Sequence, residues 1–252
     1  MTIASLAVIG VSVLGTSFLS GIFGMAGGLI LLGVLLLFMD VVPAMVLFGV
    51  IQMGANGWRA LLWRHLVQWH LVGPYIVGAT AAFLVMRLVA FVPDKALIYL
   101  GLGLLPFIAE ALPERLRPDI TRPYGPYYCG VVIMVLQLIG GAAGHILDMF
   151  FHRSGLDRRQ VVGTKALCQT IAHLFRVLYF GSFATAFSVP VPWWAFVAAL
   201  ALAFTGTTLA ARVLERMTDG DFRLWSRRIV FAVAISFLAR AVWLIATQGW
   251  GG

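Results

Sequence analysis

Gln169, His173 and Arg176 stand at i, i+4 and i+7 of one apolar run, so a helix would set all three on one face. Gln52, Asn56 and Arg59 repeat that spacing in an earlier run. Glutamine, asparagine and histidine can donate hydrogen bonds to anion oxygens, and arginine adds a charged fork. The same residue types also serve as polar glue between helices, and Arg59, near a span end, can snorkel to an interface. Glycine supplies a second chemical signal. Gly24, Gly27 and Gly28 in "GMAGG" and Gly141 and Gly144 in "GAAGH" leave backbone N–H groups open to a ligand. A helix restarted at such a point offers free donors and a positive dipole end to an anion. Close helix packing is the plainer use of the same glycines.

His145, Asp148 and Lys165 are ionisable groups within apolar runs, which makes them proton-coupling candidates. His145 and Asp148, at i and i+3, can share a proton or form a structural hydrogen bond. Lys165 can attract an anion, carry a proton or snorkel toward the basic pair at 158–159. His152 extends the cluster, but the spacing closes no ligand set, so neither a metal site nor a cofactor is expected. Asp40 and Asp157 read as helix N-caps, the second with Gln160 in the capping-box position. No GxSxG, HExxH or paired-aspartate arrangement is present, so an enzyme is not expected. The two cysteines, Cys129 and Cys168, fall in apolar runs and indicate no disulfide framework.

The elements that must position these groups are membrane helices. The 252 residues are 61% hydrophobic and 11% charged, against about a quarter charged in a soluble domain. Lipid is therefore the solvent for much of the chain. Met1–Gly15 lacks a basic leader and reads as part of a retained first span. The net charge of +8 comes mostly from arginines between spans, which the positive-inside rule explains without nucleic acid. Spans are predicted over about 3–38, 41–63, 69–92, 95–112, 124–151, 159–184, 191–214 and 229–247. The fold class is thus all-α integral membrane, with about eight transmembrane helices.

A gap-free shift of 117 residues sets Gln52 on Gln169, Arg59 on Arg176, Asp40 on Asp157 and Gly27 on Gly144. This predicts two homologous halves, 1–117 and 118–252, in one membrane domain. As a single helix, 3–38 would exceed about 50 Å against a hydrocarbon core near 30 Å, so it must break at its glycines. The matching segment, 124–151, is interrupted at "GGAAGH". Paired breaks at equivalent places point to a transport site at mid-membrane. If each broken segment crosses once, the halves are parallel; if each crosses twice, they are inverted. Grouping the basic loops 87–95, 153–159 and 212–228 on one side, and 59–64, 113–122 and 185–190 on the other, puts both termini on the non-cytoplasmic side of the cell (inner) membrane.

The two glycine-rich breaks resemble those of the sulfite exporter TauE/SafE family of membrane transporters, also called the 4-toluene sulfonate uptake permease family. Its members typically carry GxGGG near the start of each half, often followed by proline. Here the motifs read "GMAGG" (24–28) and "GAAGH" (141–145), with His145 in place of the last glycine and Gly33 and Phe150 at the usual proline positions. The resemblance spans the whole chain. It implies a secondary transporter of small anions such as sulfite, organosulfonates or related organic anions, coupled to a proton or sodium gradient. Substrate-binding residues are then expected among Gly24, Gly27, Gly28, Gln52, Asn56, Gly141, Gly144, His145, Gln169, His173 and Arg176. An anion channel and an intramembrane enzyme of unknown substrate are the alternatives. Neither the oligomeric state nor the direction of transport is indicated by the residues.

Overall fold

The computed structural model describes residues 3–23, 26–182, 193–214 and 219–249. Among these the chain is entirely helical: α1 (Ile3–Phe23), α2 (Ala26–Phe38), α3 (Val41–Leu62), α4 (Trp69–Val89), α5 (Lys95–Ala111), α6 (Gly125–Ile139), α7 (Gly144–Phe151), α8 (Arg158–Gly181), α9 (Trp193–Leu214) and α10 (Asp219–Gln248). Five of them, α1, α3, α4, α9 and α10, are long and apolar enough to cross a membrane. Five of the eight expected spans meet that measure among the described residues. α2 and α6 are apolar but shorter, and α8 carries Lys165, Gln169, His173 and Arg176 along its length.

Both interruptions occur where glycine predicted them, but they are reversals of direction rather than bends. In a straight helix residue 27 would lie roughly 10 Å beyond Ser20. Instead α2 doubles back, and a Cβ on Gly27 would run into the Thr16 carbonyl and lie 2.7 Å from the Ser20 nitrogen. In the second case α6 ends at Gly140, Gly141 takes φ +77°, and α7 starts at Gly144. The Phe150 carbonyl then accepts from the Ile120 N–H at 3.0 Å, which sets the end of α7 beside the residues leading into α6. Glycine at 141 is required by its backbone angle, because L side chains rarely adopt it.

Packing partners are preserved when α1–α5 are exchanged for α6–α10. α1 packs on α9 as α6 packs on α4; α3 packs on α8 and α5 on α10; α3 also meets α9 as α8 meets α4. The core lies along these pairs, built from residues such as Leu32, Phe48, Tyr75, Met134 and Tyr179. Cys129 and Cys168 are buried free thiols.

Polar contacts sort the connections into two ends of the bundle. At one end Lys95 pairs with Asp40 at 3.5 Å, Arg87 bonds Ser182, and the Tyr179 hydroxyl donates to the Phe91 carbonyl at 2.7 Å. At the other, Gln68 meets Thr164, Arg159 stacks on Trp63, and Glu114 faces His152 and Arg153. Arg227 pairs with Glu110 there too. The 87–95 loop thus sits apart from 153–159 rather than with it, a regrouping of the basic loops that counting alone did not find. The 185–190 loop lies outside the described residues. Asp157 forms the full capping box with Gln160. Asp40 occupies the N-cap position of α3 but makes no side-chain cap, its carboxylate facing Lys95 instead.

Where α4 and α6 cross, a Cβ on Gly130 would strike the Tyr75 carbonyl, and one on Gly78 the Tyr127 carbonyl. Gly130→Leu should therefore cost at least about 1–3 kcal/mol by overpacking. Thermal melting of the detergent-purified protein checks this, with Gly73→Ala, which meets nothing within 4 Å, as the control expected to melt like the parent.

Candidate functional site

A cavity opens where the two reversals approach α3 and α8. Its lining comprises Ser20, Gly28, Leu29, Phe48, Gln52, Asn56, Gln137, Ala142, Ala143, Gly144, His145, Gln169 and His173, around about 390 Å³ of atom-free space that includes its open mouth. Two helix starts face it, the first turn of α2 at Gly28 and Leu29 and the first turn of α7 at Gly144 and His145. The N-cap of α7 is Ala143, which has no side-chain acceptor, so the leading N–H groups of α7 are not capped by a side chain. Such ends favour an anion through both their donors and the helix dipole.

Helical spacing on α3 and α8 supplies the opposite wall. Gln52 and Asn56 come from α3, and Gln169 and His173 from α8, each pair four residues apart and so on one face. The Asn56 amide donates to the Gln52 carbonyl at 2.9 Å. Gln137 Nε2, His145 Nε2 and His173 Nδ1 are buried without a hydrogen-bond partner. Buried polar atoms are normally paired, so three orphans around one cavity mark a place where a ligand or water completes the bonding. No carboxylate lines the space.

Two arginines stand directly behind this wall. Arg59 donates from Nη2 to the Ser20 carbonyl at 3.1 Å and from Nη1 to Asn56 Oδ1 at 3.4 Å. Arg176, fully buried at 0% exposure, donates from Nη2 to the Gln137 carbonyl at 2.9 Å and also to the Gly141 carbonyl. Its guanidinium lies 4.8 Å over the Phe48 ring, whose other neighbour is the His173 imidazole, edge-on at 5.4 Å. Arg59 therefore turns inward and does not snorkel.

Of the residues expected at a site, Gly28, Gln52, Asn56, Gly144, His145, Gln169 and His173 line one cavity. Gly27 and Gly141 do not. Gly27 lets α2 lie against α1, while Gly141 forms the turn and offers its carbonyl to Arg176. Gly24 lies outside the described residues. Asp148 pairs with Lys165 on α8, and His152 faces Glu114 at 3.8 Å. Ser20, Phe48 and Gln137 line the cavity without having been singled out. The 117-residue shift holds a signal for two of them, because it sets Ser20 on Gln137 just as it sets Gln52 on Gln169, Asn56 on His173 and Gly28 on His145.

Long apolar helices around a buried, donor-rich cavity define a multi-pass membrane protein. The model of the Sulfite exporter TauE/SafE family matches residues 8–237, and the chain belongs to that family of membrane transporters. No curated protein and no solved structure matches the chain.

A side chain at position 28 would enter the space held by the Gln52 amide. Gly28→Val should remove anion flux in proteoliposomes while changing stability by no more than about 1–3 kcal/mol. Flux at the parental rate would show that the cavity is not on the transport path.

Proposed function

We propose that the chain is a secondary transporter of small anions, sulfite, organosulfonates or related organic anions, bound between the two reversals near mid-membrane. One observation carries the reading. Donor side chains and two helix starts surround a cavity without a carboxylate, and the lining falls into pairs related by the same 117-residue shift: Ser20 and Gln137, Gly28 and His145, Gln52 and Gln169, Asn56 and His173. A site built twice from one plan, at a seam between two packed halves, suits alternating access by rocking of one half against the other.

The halves are 1–117 and 118–252, and the two-way reversal of the first segment in each favours opposite orientations in the membrane. α2 and α7 return toward the starting side, leaving three crossings per half, an odd number. The arginine-rich connections, 63–68, 112–124 and 152–158 with Arg227 and Arg228 of α10, gather at one end of the bundle and are assigned to the cytoplasm. Both termini then fall on the far side of the cell membrane. A coupling proton is assigned to the Lys165–Asp148 pair and His145, which have no ionisable counterparts in the first half: the shift sets them on Phe48, Leu31 and Gly28.

Counterflow of radiolabelled sulfite, sulfoacetate, other organosulfonates and simple carboxylates in proteoliposomes tests the function. Saturable exchange of at least one sulfur oxyanion is expected, and Asn56→Ala and His173→Ala should each raise its KM about tenfold, the worth of a hydrogen bond to a charged group. Absence of flux for every anion offered would remove the reading, and non-saturating flux would favour a channel. Reporter fusions in the 38–42 and 152–158 connections should report opposite sides of the membrane; the same side would make the halves parallel.

A further inference from the structure

The cavity carries its neutral donors in front and its permanent charges behind, and those charges are not balanced. Lys165 is matched by Asp148. Arg59 and Arg176 have no carboxylate partner among the described residues. Each instead bonds a main-chain carbonyl thirty-nine positions earlier, Arg59 that of Ser20 and Arg176 that of Gln137. Both carbonyls belong to residues that line the cavity. Neutral carbonyls occupy one nitrogen of each guanidinium without cancelling its charge, and Arg176 Nε and Nη1 stay buried without a partner. Arg176 is fully buried and Arg59 half-buried; charge so placed is costly unless it is paired, and no carboxylate among the described residues does the pairing.

From this balance we infer that the site selects two negative charges: a small oxyanion dianion binds in preference to a monoanion of the same shape, and Arg59 and Arg176 set that preference as positioning residues. The inference rests on the anion-transport reading and narrows its substrate class. Of the titratable groups on the packed elements, His145 of α7 and His173 of α8 line the cavity; Arg59 of α3, Asp148 of α7, and Lys165 and Arg176 of α8 stand behind the lining, and α1, α2 and α6 contribute none among the described residues. With Lys165 and Asp148 offsetting one another, the two arginines remain. A dianion in the cavity neutralises both, whereas a monoanion leaves one uncompensated in a low-dielectric setting. The direct contacts come from amides, imidazoles and helix N–H groups, so the ligand is held by bonds that water can replace on release. The arginines, engaged with backbone, act through the field.

Sulfate and methanesulfonate form a near-isosteric pair on tetrahedral sulfur, methanesulfonate carrying a methyl group and one negative charge fewer where sulfate has its fourth oxygen; the arginine variants separate the charge from the lost oxygen. Their binding to the purified full-length protein is measured by calorimetry at one pH and one ionic strength. Sulfate should bind at least about tenfold more tightly. Arg59→Gln and Arg176→Gln should bring the ratio close to one, whereas Arg59→Lys and Arg176→Lys, which keep the charge, should preserve most of it. A merely structural role would weaken both ligands together and leave the ratio in place. Equal affinities in the parent protein, or glutamine variants that keep the preference, would overturn the inference while leaving anion transport intact. Binding of neither anion would overturn it too, and zero counterflow of every anion would then remove the underlying reading as well. If a glutamine variant fails to fold, the parental ratio and the lysine variants still decide.

Discussion

Main-chain carbonyls cannot be left bare inside a membrane, and the structure depends on how two arginines meet that demand. A helix that stops short of the bilayer surface ends in carbonyls without partners. α1 and α6 both end at the reversals, and guanidinium groups reaching across from α3 and α8 bond the carbonyl oxygens of Ser20, Gln137 and Gly141. Satisfying those ends makes the reversals tenable in lipid. The reversals in turn bring the starts of α2 and α7 to the same depth as Gln52, Asn56, Gln169 and His173. Fold and cavity share one cause: the arginines that bond the ends of the broken helices also stand directly behind the cavity wall.

Much of this was legible in the residues because lipid imposes a simple code. Apolar length located α3 and α4 to within a few residues, since Asp40, Trp63 and Trp69 punctuate the runs sharply. The fixed shift between Gln52 and Gln169 or Arg59 and Arg176 pointed to a site before any geometry was available. The sense of the glycine breaks was not legible. Hydropathy measures how long a run is, not which way it travels, and the direction of α2 is set by a tertiary contact, Gly27 lying against Thr16 and Ser20. The role of Arg59 was hidden for a related reason. Near the end of its own helix it resembles a snorkelling residue, and only the early stop of α1 places an acceptor within its reach.

Ser20 and Gln137 show the limit of reading by residue type. Gln137 is the single strongly polar residue of its apolar run and Ser20 one of several hydroxyl residues in its own, and for both interhelical hydrogen bonding is the ordinary explanation. Their carbonyls, not their side chains, hold the arginines, and backbone roles leave no compositional trace. The loop grouping failed for a different reason. Arg87 and Lys95 add to a basic count, but they are engaged by Ser182 and Asp40 at the end of the bundle away from most arginines.

The near-symmetry of the cavity gives its departures meaning. Position 28 is glycine where its counterpart is His145, and position 48 is phenylalanine where its counterpart is Lys165. In the first half these positions are inert: Gly28 admits the Gln52 amide, and Phe48 seals the space between His173 and Arg176. In the second half the same two places hold groups that can gain or lose a proton, and Asp148 joins them through Lys165. The matched arginines Arg59 and Arg176 are common to both halves, whereas His145, Asp148 and Lys165 have no ionisable counterparts in the first.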